Sequence, residues 1–230
     1  MGIRNLNPFI KKVCPECITE NDIRKYAGKT FAIDCSILIY KYRYVSDIFD
    51  NAHITGFINR VKFYRTNNIL PVFIFDGVPP DAKKETLQKR NESKKKIESK
   101  IDLIKNDTNT VEEKEEIDKL SKQVVYVNKQ HIYDCKKILQ LLGVPYISAP
   151  DEAEKYCAYL QREGLVDYTV SDDTDSLTFG CGKVIKTTVK DKIIETDLNI
   201  LLKKINYSED KFIDLCILSG CDYCPFIPKL

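Results

Sequence analysis

A chain of 230 residues, 43% hydrophobic and 30% charged, can bury one substantial core, as a single domain or as a domain carrying a large insertion. Its net charge of +2 excludes neither a polyanionic partner nor its absence, because segregated basic and acidic faces cancel in the total. Nine cysteines are an odd number, and the chain has neither a signal-like apolar start nor an apolar run of 18 residues, which points to an intracellular protein with free thiols and no membrane span.

In chain order, short apolar runs of the buried parallel type fall at residues 30–33, 70–75, 145–147 and 168–170, with two further strand candidates at 183–189 and 192–195. Helical patterns occupy 36–44, 53–66, 131–142 and 152–163, the third stopping at Gly143, and an apolar helix covers 212–218. Strands alternating with helices predict an α/β fold with a mostly parallel central sheet flanked by helices. Residues 83–122 do not join that pattern. They are charge-dense and lack aromatics, and residues 83–100 hold eight basic and three acidic side chains. A solvated helix face is one reading. The other is a protruding helical arch, with residues 106–109 as its tip and the acidic stretch 112–116 turned away from any phosphate. The chain then divides into an N-terminal region 1–82, an arch insertion 83–130 and a second region 131–230, all within one catalytic domain.

Seven carboxylates carry the functional signal: Asp34 in FAIDCS, Asp76 in VFIFDG, Glu152 and Glu154 in PDEAE, Asp173 and Asp175 in SDDTD, and Asp222 in SGCDY. Several stand where an apolar strand ends, and in an open parallel sheet those ends face one crevice. Each acid alone could be a helix or turn cap, and Asp151 with Glu154 has capping-box spacing. Together they predict a cation site, because like charges about 4 Å apart repel by roughly 4 kcal/mol at an effective dielectric near 20. Lys83 and Arg90 follow Asp76 closely and lie two helical turns apart, so they should overhang the acids as a polyanion gate. The Cys14/Cys17 and Cys221/Cys224 pairs could offer four thiolates to zinc, but about 200 residues separate them and Asp222 lies inside the second pair. His53 and His131 sit in helical patterns and read as surface or satisfied residues.

The stretches MGIRNL, AIDCSILIY, VFIFDGVPP with Lys83 and Arg90, KQHIYDCKKILQLLGVPYISAPDEAE, SDDTDSLTFG and FIDLCILSGCDYC closely resemble the flap endonuclease group of the structure-specific 5′ nucleases. The resemblance implies a metal-dependent hydrolase that cuts 5′-flapped or branched DNA in replication or repair and leaves 5′-phosphate products. It implies that the seven acids hold two Mg²⁺ ions, with Mn²⁺ able to substitute, and that Lys83 and Arg90 contact the scissile phosphate. Tyr40 matches an aromatic that stacks beside the cut, and Gly2 belongs to the N-terminal segment packed near the site. A DNA-replicating compartment such as the nucleus and a monomeric state are the accompanying expectations. Relatives continue past GCDY into a helix-two-turn-helix and often a sliding-clamp-binding peptide, whereas this sequence reads CDYCPFIPKL, so duplex grip and clamp recruitment are not expected of it. A flap-binding protein with little catalysis and a related metal-dependent ribonuclease are the competing readings.

Overall fold

The computed structural model describes residues 2–45, 51–107, 111–173, 175–187 and 192–224. Its centre is a seven-stranded sheet in the order β1-β7-β6-β5-β2-β3-β4. Strands β2 (Thr30–Asp34), β3 (Leu70–Phe75), β4 (Tyr146–Ser148), β5 (Tyr168–Val170) and β6 (Lys183–Thr187) run parallel. The edge strands β7 (Lys192–Asp197) and β1 (Ile18–Asp22) add in antiparallel fashion. From β2 the chain builds outward through β3 and β4, then crosses back to place β5 and β6 on the other side of β2. The reversal of strand order lies between β2 and β5, where open α/β sheets form a crevice beyond the strand ends.

The alternation of side chains along the strands sets the two faces. Phe31, Ile33, Phe73 and Phe75 pack against α2 (Cys35–Val45), α3 (Ala52–Thr66) and α6 (Lys129–Leu141), in a core that includes Phe57, Tyr64 and Leu139. On the opposite face Ala32 and Ile74 pack with Ala149, Ala153, Cys157 and Leu160, bringing in α7 (Ala153–Arg162). Small side chains there let α7 approach closely, and Asp34 and Asp76 continue the same parity as Ala32 and Ile74. A third cluster joins α1 (Leu6–Val13), α9 (Leu198–Ile205) and α10 (Glu209–Ser219) through Leu6, Ile10, Leu201 and Phe212. A short helix α8 (Asp175–Thr178) follows β5.

The predicted strands at 70–75 and 168–170 match in both bounds, and the others differ by a residue or two at the ends. The candidate at 183–189 is a strand to Thr187, and its last two positions lie outside the described residues. Helix α1, strand β1 and helix α9 carry no counterpart in the sequence reading. β1 reads ITEND and buries little, so no apolar alternation announces it.

Residues 83–122 form the arch. After a single 3₁₀ turn, Asp81–Lys83, come α4 (Lys84–Asp107) and α5 (Val111–Ser121). Good helix formers and i,i+4 pairs such as Glu85–Lys89 support a helix of about 36 Å that has little core of its own. The two arms touch through a 2.6 Å ion pair between Lys100 and Glu116, and Ile101 is buried. The expected tip at 106–109 is described only as far as the end of α4. Residues 108 and 109 lie outside the described residues.

Candidate active site

A cleft of about 1100 Å³ opens at the C-terminal end of the parallel strands, between the sheet and the base of the arch. Asp34, Asp76, Glu152, Glu154, Asp173 and Asp222 line it, together with Tyr40, Lys83, Thr86, Arg90 and Lys94. Asp175, at the start of α8, is buried beside them and carries an Oδ1 that is buried without a hydrogen-bond partner. Six of the seven predicted acids therefore share one cavity.

Most of the acids are placed by a strand end or by the start of a helix, and Asp222 by a tight turn. Asp34 ends β2 and accepts from the Ser36 N–H at 2.9 Å and from Ser171 Oγ at 3.1 Å. Asp76 follows β3, accepts from Ser36 Oγ, and accepts from the Ala153 N–H of α7 at 2.7 Å. Capping and convergence are thus one arrangement, since Asp76 caps a helix 77 residues away in sequence. Glu152 stands at the N-cap position of α7, but its side chain makes no cap hydrogen bond and turns to Lys83 Nζ instead. Asp151 pairs with Lys155 along α7. Asp173 accepts from the Asp175 N–H at 3.3 Å. Asp222 sits in a tight turn between Cys221 and Cys224, which bond each other through their backbones.

The electrostatics follow from burial and crowding. Burial, and then the charge of Asp76, push the Asp34 carboxyl up to about 7. Burial, with Asp173 and Asp222 next, pushes Asp175 up to about 7. Glu154 rises to about 10 through burial and the charges of Asp34, Asp173 and Asp175, opposed by Lys83. The arch supplies the opposing charge. Lys83 Nζ pairs with Glu152 and lies 3.6 Å from Asp222 Oδ2, Arg90 Nη2 pairs with Asp222 Oδ1, and Thr86 Oγ1 donates to the Asp222 carbonyl at 2.7 Å. Burial, the largest single influence, lowers the Lys83 ammonium, but its hydrogen bond to Glu152 and the charges of Glu152, Glu154 and Asp222 together outweigh it and leave it raised.

Oxygen-only donors, mutually raised carboxyls and an unpaired buried oxygen fit a hard divalent cation. The acids do not form a closed coordination shell here. Among the described residues no three His, Cys, Asp or Glu side chains stand together as a ready metal group. Six of the acids line one cleft with Asp175 buried beside them, and two arch cations reach in among them.

Tyr40 stands at the cleft with the Lys94 ammonium 5.2 Å from its ring centre. Lys94 also lies 4.7 Å from the ring centre of Tyr126 and donates to the Val125 carbonyl at 2.7 Å, so it ties α4 to the segment that returns from α5 to α6. Gly2 does not line the cleft. It takes a φ of 98°, which favours glycine, and the nearby Arg4 N–H donates to the Gly220 carbonyl at 3.1 Å, packing the N-terminal segment beside the Asp222 turn. His53 is buried against Asp134, and His131 closes the N-terminal cap of α6 with Asn128. All nine cysteines are free thiols, and the described ones gather no four-thiolate group.

Two family models match the chain: the XPG N-terminal domain over residues 1–97 and the XPG I-region over residues 143–222. The flap endonuclease 1 of Glycine max is 40% identical across 99% of this chain and 63% of its own length. The chain belongs to the flap endonuclease group of the 5′ nuclease superfamily. A solved structure of the catalytic core of Rad2 in complex with DNA substrate superposes with a TM-score of 0.77 at 29% identity, over the whole of this chain and 65% of that one. Flap endonuclease-1 from Methanococcus jannaschii gives 0.64 at 29% identity, over 93% and 71%. The chain spans about 63% of the curated flap endonucleases that it matches.

Sequence reasoning about this flap endonuclease-group chain missed four side chains at the site: Ser36, Ser171, Thr86 and Lys94. The serines flank acids at strand ends, where short polar residues read as ordinary turn formers. Lys94 was one of eight basic residues in its segment, and only the folded arch distinguishes it.

Proposed function

We propose that this chain is a divalent-metal-dependent, structure-specific nuclease that hydrolyses phosphodiester bonds in 5′-flapped or branched DNA. The observation that carries the reading is the convergence of six acids and two arch cations on one cleft at the sheet's reversal point. The DNA named with the Rad2 core supports the choice of substrate.

In this reading Asp34, Asp76, Glu152, Glu154, Asp173, Asp175 and Asp222 hold two Mg²⁺ ions, or Mn²⁺ in their place. Bound metal supplies an activated water and stabilises charge on the attacking and leaving oxygens. Lys83 and Arg90 form the gate. When a phosphate enters, they exchange their carboxylate partners for its oxygens and neutralise charge that develops during transfer. Tyr40 offers a ring face to a nucleobase beside the cut, a stack worth about 1 to 3 kcal/mol that offsets terminal unpairing. Regions 1–82 and 131–230 form the catalytic body, and 83–130 the arch through which a single strand is sorted. In the same reading the protein works where DNA is replicated, such as the nucleus.

Labelled 5′-flap DNA and single-stranded RNA, each incubated with Mg²⁺ and with chelator, test the proposal. Mg²⁺-dependent cleavage near the flap junction, with 5′-phosphate products, is expected. Binding without cleavage would favour a flap-recognition protein, and preferential cutting of the RNA would favour a ribonuclease.

A further inference from the structure

Four of the seven acids are linked by one continuous hydrogen-bonded chain. Ser36 Oγ donates to Asp76, the Ser36 N–H donates to Asp34 Oδ1, Ser171 Oγ donates to Asp34 Oδ2, and the Asp173 N–H donates to Ser171 Oγ. The Asp175 N–H then donates to Asp173 Oδ1. Ser171 is the only side chain in this run that bridges the reversal point of the sheet, since Asp34 ends β2 while Asp173 follows β5. It is 4% exposed, and its hydroxyl spends its proton on Asp34 while a lone pair takes the Asp173 N–H. Both directions of the hydroxyl are therefore fixed by its neighbours.

We infer that Ser171 is a positioning residue that ties the Asp34 carboxylate to the backbone carrying Asp173, and so sets the two acids at the mutual placement a shared divalent cation requires. The inference rests on the metal reading above. Its physical basis is that Asp34 is held at both oxygens, Oδ1 by the Ser36 N–H and Oδ2 by Ser171 Oγ, so its remaining lone pairs point in a defined direction, whereas without Ser171 the carboxylate is held at one oxygen and can swing about it. Hydrogen-bonding partners of metal-binding carboxylates matter in general: removing one weakens metal affinity or activity by about 10- to 100-fold. Ser171→Ala leaves two buried polar groups unpaired, Asp34 Oδ2 and the Asp173 N–H, and a backbone ladder that is otherwise intact. Threonine keeps the hydroxyl.

The test is calcium binding to the full chain by isothermal titration calorimetry, with DNA absent and no turnover, for the parent, Ser171→Ala and Ser171→Thr. Melting curves in chelator are recorded alongside. The expected result is about 10- to 100-fold weaker calcium binding for the alanine variant and recovery to within a few fold of the parent for threonine. Should the alanine variant melt below the working temperature, Ser171→Cys takes its place, keeping the volume while weakening the donor. Equal calcium affinity for parent and alanine variant, or equal weakening by alanine and threonine, overturns the positioning role and leaves the metal reading standing. A parent that binds no calcium overturns the metal reading first and this inference with it.

Discussion

Asp175→Asn should make the metal-free protein more stable. The carboxyl is 3% exposed, has an oxygen without a partner, and is pushed from 3.8 to about 7, chiefly by burial and then by Asp173 and Asp222. A folded-state value above the unfolded one means that the native protein holds this proton more tightly. The group costs nothing below pH 3.8, and its penalty grows as pH rises toward 7. A rise of that size corresponds to about 4 kcal/mol at pH 8, as an upper bound. The amide removes the charge at nearly constant shape, so in EDTA at pH 8 the variant should gain about 2 to 4 kcal/mol. At about 2 to 4 °C per kcal/mol for a chain of this size, Tm should rise by about 4 to 16 °C. Scanning calorimetry in EDTA at pH 8 and pH 4 measures it, and the gap should close at the lower pH. Calcium at 100-fold the parent's Kd stabilises the parent by about 2.7 kcal/mol, and the gap should narrow by that amount less whatever the variant gains. A variant that melts no higher than the parent at pH 8, or whose advantage persists at pH 4, would refute the electrostatic account of the cleft.

Arg90→Ala should lower kcat by about 100-fold or more with KM within a few fold, because the proposed contact strengthens in the transition state; steady-state kinetics on flap DNA decide, and a change confined to KM would make Arg90 a binding contact only. Gly77→Ala should cost about 1 to 3 kcal/mol in urea unfolding, since the new Cβ would stand 2.1 Å from the Ala149 carbonyl oxygen and 2.6 Å from that of Pro150; an unchanged midpoint would mean that the Asp76 turn shifts freely. Lys94→Ala should speed amide exchange over residues 123–127 with about 1 kcal/mol or less lost globally, because the ammonium ties that segment to α4 and Tyr40. Exchange identical to the parent's would remove the tie.

Strand ends were legible because β3 and β5 are apolar runs bounded by turn residues, and the acids at their ends stood out as charges with no local reason to be buried. The path from Asp34 to Asp222 was legible only through the logic of a parallel sheet and the family motifs. β1 escaped because an edge strand that buries only Ile18 and Asn21 in part has no alternation to read, and its register comes from β7, 170 residues away. α1 escaped because its buried face is only Leu6 and Ile10, with Pro8 tolerated in the first turn. The arch was legible as an outlier in composition, and its start just after Asp76 put Lys83 and Arg90 over the acids, yet their direct contact with Glu152 and Asp222 was not legible. That contact depends on how the Asp81–Lys83 turn sets the angle of α4, a tertiary property. Ser36 and Ser171 were invisible for the same reason: their role is a matter of which carboxylate lies across the sheet.

The most direct test of the central claim is the anomalous scattering of crystals of this chain soaked in Mn²⁺. Two manganese peaks among Asp34, Asp76, Glu152, Glu154, Asp173, Asp175 and Asp222, with Lys83 and Arg90 drawn away from Glu152 and Asp222, are the predicted result. Peaks elsewhere, or none with the arch cations still paired to the acids, would contradict it.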